Sequence, residues 1–259
     1  MFRDKIVWIT GASSGIGEAL AIAWSREGAR VILSARNAAE LERVRQLCAD
    51  PNRHLVKPLD LTDDAAIKTA VAEVLRDFDH VDIVVHSGGV SQRSIVAETD
   101  LATDRQLMDI NYFGTIALTK ALLPSMLARK SGHIVPISSV IGYVGVPLRS
   151  AYAASKHALH GFFNALRNEE TKHGIRVTIV CPGYIRTKVS ENALRGDGTR
   201  HGQTDDTHKN AMLPEKAAPV ILRGVAKNKR EVHVGGPEIW AIQLQRFLPS
   251  IVVRVLRMK

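Results

Sequence analysis

Lys5-Ile6-Val7-Trp8-Ile9-Thr10-Gly11-Ala12-Ser13-Ser14-Gly15-Ile16-Gly17 is the stretch that decides how this chain folds. The run from Lys5 to Ile9 lacks polar alternation, as a strand covered on both faces requires. A helical pattern follows from Gly15 to Glu27. Between the two, glycines permit a tight turn and let the backbone approach a ligand with no Cβ in the way. Unpaired N–H groups at the helix start, with its positive dipole end, favour an anion there. The spacing is G-x-x-x-G-x-G and departs from the general dinucleotide fingerprint G-x-G-x-x-G. With a strand before it and an amphipathic helix after it, the turn reads as a pyrophosphate cradle rather than a ligand-free glycine turn.

Outward from this stretch the same alternation repeats. Strands are expected at residues 5–9, 30–34, 54–58, 81–85, 133–137, 176–181 and 231–234. Helices are expected at 15–27, 38–49, 64–77, 104–128, 150–173 and 214–228. Such an order predicts an α/β fold: a single Rossmann-like, doubly wound domain whose parallel sheet has about seven strands with right-handed crossovers. A chain of 259 residues suits one such domain, placed here at 1–236 with 237–259 as a C-terminal extension. No internal repeat or low-complexity linker interrupts it. Ser190–Asn210 breaks the rhythm, being polar, Gly-rich and weakly periodic. A loop this long is a lid or a disordered segment. Because it follows the sixth strand directly, it reads as a substrate lid over about 184–213.

Composition narrows the classes. Apolar residues make up 45% and charged residues 24%, ordinary for a globular protein with a sizeable core. No run approaches the roughly 20 apolar residues needed to cross a bilayer. Met1-Phe2-Arg3-Asp4 leads straight into a strand, so no signal peptide is expected. Cys48 and Cys181 read as reduced thiols, consistent with a cytoplasmic setting. The charge is +9, from 35 Lys and Arg against 26 Asp and Glu, with the excess concentrated after Lys227. No nucleic-acid partner is expected, because aromatics are only 5% and no recognition motif accompanies the charge. The histidines share no ligand spacing, so no metal is expected.

Residues downstream of the cradle suit the rest of a dinucleotide and a proton transfer. The second strand ends in Ser34-Ala35-Arg36-Asn37 without the acid that would bind ribose hydroxyls. Arg36 can instead fork onto a 2′-phosphate, which favours NADP(H) over NAD(H). After the third strand, Asp60 can accept from an adenine amino group, or cap the next helix, a role also open to Thr62 and Asp63. Tyr152 and Lys156 stand four apart, on one face of a helix. A phenol titrates near 10, and a nearby ammonium is expected to lower that value so that Tyr152 exchanges a proton with a carbonyl or alcohol. Ser139, at the end of the fifth strand, can hydrogen-bond and orient the substrate oxygen.

Taken together, Thr10–Gly17, Leu59-Asp60-Leu61, Asp109-Ile110-Asn111, Ile137-Ser138-Ser139, Tyr152-x-x-x-Lys156 and Cys181–Thr187 resemble the short-chain dehydrogenase/reductase (SDR) family over nearly the whole chain. The resemblance implies catalysis by Ser139, Tyr152 and Lys156, with Asn111 holding a helix open and retaining a water linked to the lysine. It implies cofactor contacts at Gly11, Ser13, Ser14, Gly15, Ile16, Gly17, Arg36, Asp60 and Leu61. Further contacts are implied at Gly88, Gly89, Tyr152, Lys156, Pro182, Gly183, Ile185 and Thr187. A homodimer or homotetramer is typical of the family. His86-Ser87-Gly88-Gly89 stands where the family usually carries Asn-Asn-Ala-Gly, and His86 is expected to serve structure rather than catalysis. The continuation Val90-Ser91-Gln92-Arg93-Ser94 resembles the membrane-associated branch related to dehydrogenase/reductase SDR family member seven, which suggests a hydrophobic carbonyl substrate.

The tail from Pro237 carries Trp240, Leu244, Phe247 and Ile251 at helical spacing, followed by an apolar stretch with a basic edge. It is expected either to pack against a neighbouring subunit or the lid, or to make peripheral membrane contact. The reading is an NADP(H)-dependent oxidoreductase that interconverts a carbonyl and a secondary alcohol, with Tyr152 as the acid/base. The alternative is a non-enzymatic NADP(H)-binding regulatory module or a membrane-surface scaffold.

Overall fold

The computed structural model describes residues 1–205 and 211–256; residues 206–210 and 257–259, at the end of the expected lid and of the tail, lie outside the described residues. Six parallel strands form the main sheet in the order β3-β2-β1-β4-β5-β6. They are β1 (Ile6–Thr10), β2 (Arg30–Ser34), β3 (Leu55–Val56), β4 (Ile83–His86), β5 (Gly132–Pro136) and β6 (Ile175–Val177). β7 (Ile179–Pro182) and β8 (Glu231–Val234) pair in parallel beside it.

The unbroken apolar character of β1 has a direct cause. Val7 and Ile9 enter one core layer and Ile6 and Trp8 the other. The first layer lies under α1 (Gly15–Arg26), α2 (Ala38–Leu47) and α7 (Pro214–Ala226), with Leu20, Trp24, Leu41 and Ile221 fully buried. The second lies under α3 (Asp64–Phe78), α5 (Gly114–Ala128) and α6 (Ser150–Glu170), with Ile67, Leu118 and Phe163 fully buried. Each strand must therefore present apolar side chains on both faces.

Three elements depart from the sequence expectation. The single strand expected at 176–181 divides at Thr178 into β6 and β7, because this segment changes partners there. β6 pairs with β5, whereas β7 pairs with β8. Thr178 joins both sides: its N–H donates to Ile134 O (3.0 Å) and its hydroxyl to Lys229 O (2.6 Å), while His133 Nε2 lies 2.8 Å from that hydroxyl. The buried Arg167 of α6 pins the joint by donating to Val177 O and Arg230 O. The strand expected at 54–58 pairs only over Leu55–Val56, since the His54 ring rather than a carbonyl accepts the Val31 N–H (3.1 Å). The long helix expected at 104–128 is α4 (Leu101–Met108), a π turn over Asp109–Phe113, and α5. That widened turn is where Asn111 sits, and single π turns of this kind often mark functional sites.

The tail forms a 3₁₀ turn (Pro237–Trp240) followed by α8 (Ala241–Phe247) and α9 (Pro249–Leu256). Ile242 and Val252 are buried, while Trp240, Phe247, Val253 and Val255 are exposed.

Candidate active site

The loop from β1 to α1 is shaped by steric exclusion. Gly11 has φ +65, and a Cβ on it would lie 2.7 Å from Ser87 O and Gly88 N. Gly15 has φ +59 and packs against the Thr187 side chain. Ser14 precedes α1 without capping it through its side chain, so the first-turn N–H groups keep their capacity for an anion. Gly17 serves a different end from the one expected. It is buried and does not line the cavity; a Cβ there would meet Gly11 O at 2.2 Å, so its role is to let α1 lie against the loop.

A cavity of about 1040 Å³ runs from this cradle across the carboxyl ends of the strands. Its wall gathers every other residue expected to touch a cofactor: Gly11, Ser13, Ser14, Gly15, Ile16, Arg36, Asp60, Leu61, Gly88, Gly89, Tyr152, Lys156, Pro182, Gly183, Ile185 and Thr187. Arg36 makes no hydrogen bond or ion pair among the described residues and acts on Asp60 only through its charge. Asp60 does not cap α3. Its carboxylate accepts from Thr62 N (2.9 Å) and Thr62 Oγ1 (2.8 Å), which holds its pKa below the usual range, and Asp63 supplies the cap.

Ser139, Tyr152 and Lys156 meet on the same wall. The Ser139 hydroxyl donates to Pro182 O (3.4 Å) and takes the Ile141 N–H (3.2 Å). Lys156 Nζ lies 5.6 Å from the centre of the Tyr152 ring and donates to Ile137 O (2.9 Å). The electrostatics depart from the expectation of an ammonium-lowered phenol. Burial pushes the Tyr152 pKa above its ordinary value; the nearby Ser139 hydroxyl and the guanidiniums of Arg149 and Arg93 oppose that rise. Burial also pushes Lys156 down, to about 8. The physical reason is common to both: a cavity walled by protein penalises either charged form.

Asn111 is fully buried behind the wall rather than on it. Its Oδ1 accepts from Val90 N (2.8 Å) and its Nδ2 donates to Val90 O (2.9 Å) and Ser155 Oγ (3.0 Å). The π turn thus fastens the loop after β4 to α6. A second fastening was not foreseen from the sequence. Gln92, fully buried, accepts the first-turn N–H groups of Ala151 (2.9 Å) and Tyr152 (3.3 Å). Because Arg149 gives α6 no side-chain cap, this distant amide does so and sets the pitch of the turn that bears Tyr152. Its only sequence signal was a place in the Gln92-Arg93-Ser94 stretch.

The far end of the cavity is built from loops and the tail. Arg93 forks onto Asp205 (3.0 and 2.5 Å), and Arg149 reaches the same carboxylate (2.9 Å). The described part of the 184–213 segment is strapped down by bonds from Leu194 N to Ser91 O and Arg93 N to Leu194 O. Tyr184 lines the cavity and Leu148 does not. Leu244, Ile251, Val252 and Val255 of α8 and α9 complete the wall.

A model of the short chain dehydrogenases matches residues 5–197. The chain belongs to the short-chain dehydrogenase family. Membership makes it an oxidoreductase of CH–OH groups that works with a nicotinamide dinucleotide. This dehydrogenase is 46% identical over 253 residues to dehydrogenase/reductase SDR family protein 7-like of Drosophila melanogaster, covering 95% of this chain and 78% of that one. It is 42% identical over 256 residues to dehydrogenase/reductase SDR family member 7 of Homo sapiens, covering 95% and 75% respectively. A crystal structure of a short-chain dehydrogenase from Streptomyces avermitilis matches with a TM-score of 0.85 at 32% identity, over 97% of this chain and 94% of the other.

The dehydrogenase's departure at His86 is accommodated by a hydroxyl ladder. Thr115 Oγ1 donates to Asn111 O and Thr119 Oγ1 to Thr115 O, both at 2.9 Å. The Thr119 oxygen is then left to accept from His86 Nε2–H (2.9 Å). Burial lowers the His86 pKa to about 3, so the ring is neutral, and its Nδ1 has no hydrogen-bond partner. Among the described residues no cluster of His, Cys, Asp and Glu could hold a metal, and no helix is long and apolar enough to cross a membrane. Cys48 and Cys181 are buried free thiols.

Proposed function

We propose that this dehydrogenase interconverts a carbonyl and a secondary alcohol on a hydrophobic substrate, with NADP(H) as its cofactor and Tyr152 as its acid/base. The observation that carries the reading is the placing of Ser139, Tyr152 and Lys156 on the wall of the cavity that begins at the glycine cradle. The residues fit a dinucleotide: the glycines keep clear the space a Cβ would fill, and the α1 N-terminus offers donors for phosphate. When bound, the nicotinamide supplies or takes up the hydride.

The protein's own part is positioning and proton transfer. Ser139, on the same wall as Tyr152, orients the substrate oxygen. In reduction, Tyr152 Oη gives its proton to the oxygen as charge develops there; in oxidation it receives one. Its raised pKa suits it to donate. Lys156, with its pKa near 8, carries its charge through neutral pH, 5.6 Å from the centre of the Tyr152 ring. Asn111 and Gln92 are positioning residues that hold α6 against the loop after β4. NADP(H) is favoured because Arg36 lines the wall with no hydrogen bond or ion pair among the described residues, and Ser34–Asn37 holds no acid.

Tyr152→Phe is expected to lower turnover by about 10²–10⁴-fold while NADPH still binds, read by steady-state kinetics and by quenching of protein fluorescence. Undiminished turnover in that variant refutes the assignment. Arg36→Ser is expected to raise KM for NADPH by roughly tenfold and leave KM for NADH little changed. Equal effects on both cofactors contradict the preference. The apolar outer face of α8 and α9, edged by Arg246 and Arg254, calls for a cover, either a second copy of the chain or an anionic bilayer surface.

A further inference from the structure

Among the described residues, Arg149 is a cation on the cavity wall whose hydrogen-bonding capacity is mostly unspent. It stands three residues before Tyr152, at the start of α6, and its side chain is 17% exposed. Among the described residues only its Nη2 is engaged, on Asp205 Oδ2 at 2.9 Å. That carboxylate is already held by Arg93 through Nε (3.0 Å) and Nη2 (2.5 Å). Arg93 is further committed to Ser91 Oγ, Gln92 O and Ser190 Oγ, so it acts as a clamp. Glu238 is also on the wall, but its Oε1 is taken by the N–H groups of Tyr184 (2.6 Å) and Gly236 (2.9 Å). The guanidinium of Arg149 therefore lines the cavity with its Nε and Nη1 donors facing no described acceptor. Burying a charge in that state is unfavourable, and a planar fork is matched by a carboxylate or a phosphate ester. Arg149 and Tyr152 lie within one helical turn of each other on the same wall, so one small molecule can reach both.

We propose that Arg149 anchors an acidic group of the substrate, so that this dehydrogenase acts on carbonyl compounds bearing a carboxylate or phosphate ester close to the reacting carbon. The proposal rests on the oxidoreductase reading and specifies its substrate class. Val144, Val146 and Leu194 add apolar surface to the same wall, so the anion is bound in a chamber that also offers hydrophobic contact.

The test uses the full chain with NADPH and a panel of methyl ketones, each supplied as carboxylate, phosphate monoester and neutral methyl ester. The wild type is expected to favour an acidic form by at least about tenfold in kcat/KM, and the comparison of carboxylate with phosphate identifies which. Arg149→Gln is expected to remove that advantage through KM while leaving the ester within about threefold. Arg149→Lys, which keeps the charge but not the fork, falls between. Asp205→Asn releases Arg149 from its competitor and lowers KM for the acid. Binding of the carboxylate alcohol to the NADP⁺-loaded protein, measured by calorimetry, follows the same order without turnover. Equal use of acid and ester by the wild type, or equal losses for both in Arg149→Gln, overturns the proposal. If Arg149→Gln fails to fold, unchanged acid preference in Arg149→Lys and Asp205→Asn overturns it. Absence of turnover with every form of every ketone refutes the oxidoreductase reading instead.

Discussion

The two ends of the cavity are built on opposite principles. At the cradle, backbone meets backbone: a Cβ on Gly11 would fall 2.7 Å from Ser87 O, and one on Gly17 would fall 2.2 Å from Gly11 O. Nothing there can shift without moving the β1–α1 unit. At the far end, α8 and α9 lay a few apolar side chains over the chamber and leave Phe247 69% and Trp240 67% exposed. The cradle binds chemistry common to every dinucleotide and tolerates little change. On the function proposed above, the tail and the loops under it would shape what is particular to one substrate. Rigid elements carry the cofactor end; loops and terminal helices carry specificity.

The sharpest way to break this contrast is Gly11→Ala. With φ at +65 and only backbone to collide with, it is expected to weaken NADPH binding by more than about 100-fold and to lower stability by several kcal/mol, read by fluorescence titration and thermal melting. Near-normal binding would mean that the cradle yields as easily as the tail.

A smaller effect is expected midway, at Lys156→Met. The folded pKa of about 8 lies below the ordinary 10.5, so the unfolded chain binds more protons between these values. Stability contributed by this position therefore rises with pH from about 8 to 10.5, and the penalty for burying the charge is fully present below pH 8. Removing the amine should stabilise the cofactor-free protein at pH 7 by up to about 3 kcal/mol, an advantage that fades as pH approaches 10.5. Urea unfolding of both proteins across that range measures it. A pH-independent difference would show that Lys156 is not held in a desolvated pocket.

The smallest effect on stability belongs to the tail. Phe247→Ser, at an exposed position, is expected to change stability by less than about 0.5 kcal/mol. It should nonetheless weaken self-association or binding to anionic vesicles, read by analytical ultracentrifugation and co-sedimentation. A large drop in melting temperature would mean that the outer face of α8 is part of the core after all.

Much of this contrast was legible before any tertiary information. The G-x-x-x-G-x-G turn between an apolar strand and an amphipathic helix specifies a local conformation, because only glycine tolerates both the left-handed backbone and the close approach. Tyr152-x-x-x-Lys156 likewise follows from helical geometry, since residues four apart share a face. Period and sterics are properties of short segments, so the strand–helix alternation, the cradle and the helix bearing Tyr152 could all be read from them.

What only the tertiary structure decided involves partners distant in sequence. Gln92 caps a helix that begins nearly sixty residues later, and His86 finds its acceptor on Thr119. The strand at 176–181 divides because β5 and β8 compete for it, and Asn111 lies behind the cavity wall because a π turn rotates it there. Arg149 became conspicuous only when folding placed Arg93 on the one carboxylate both could share. Burial reversed the expected shift of Tyr152 for the same reason: desolvation is set by everything around a group, and none of that is written in the three residues between it and Lys156.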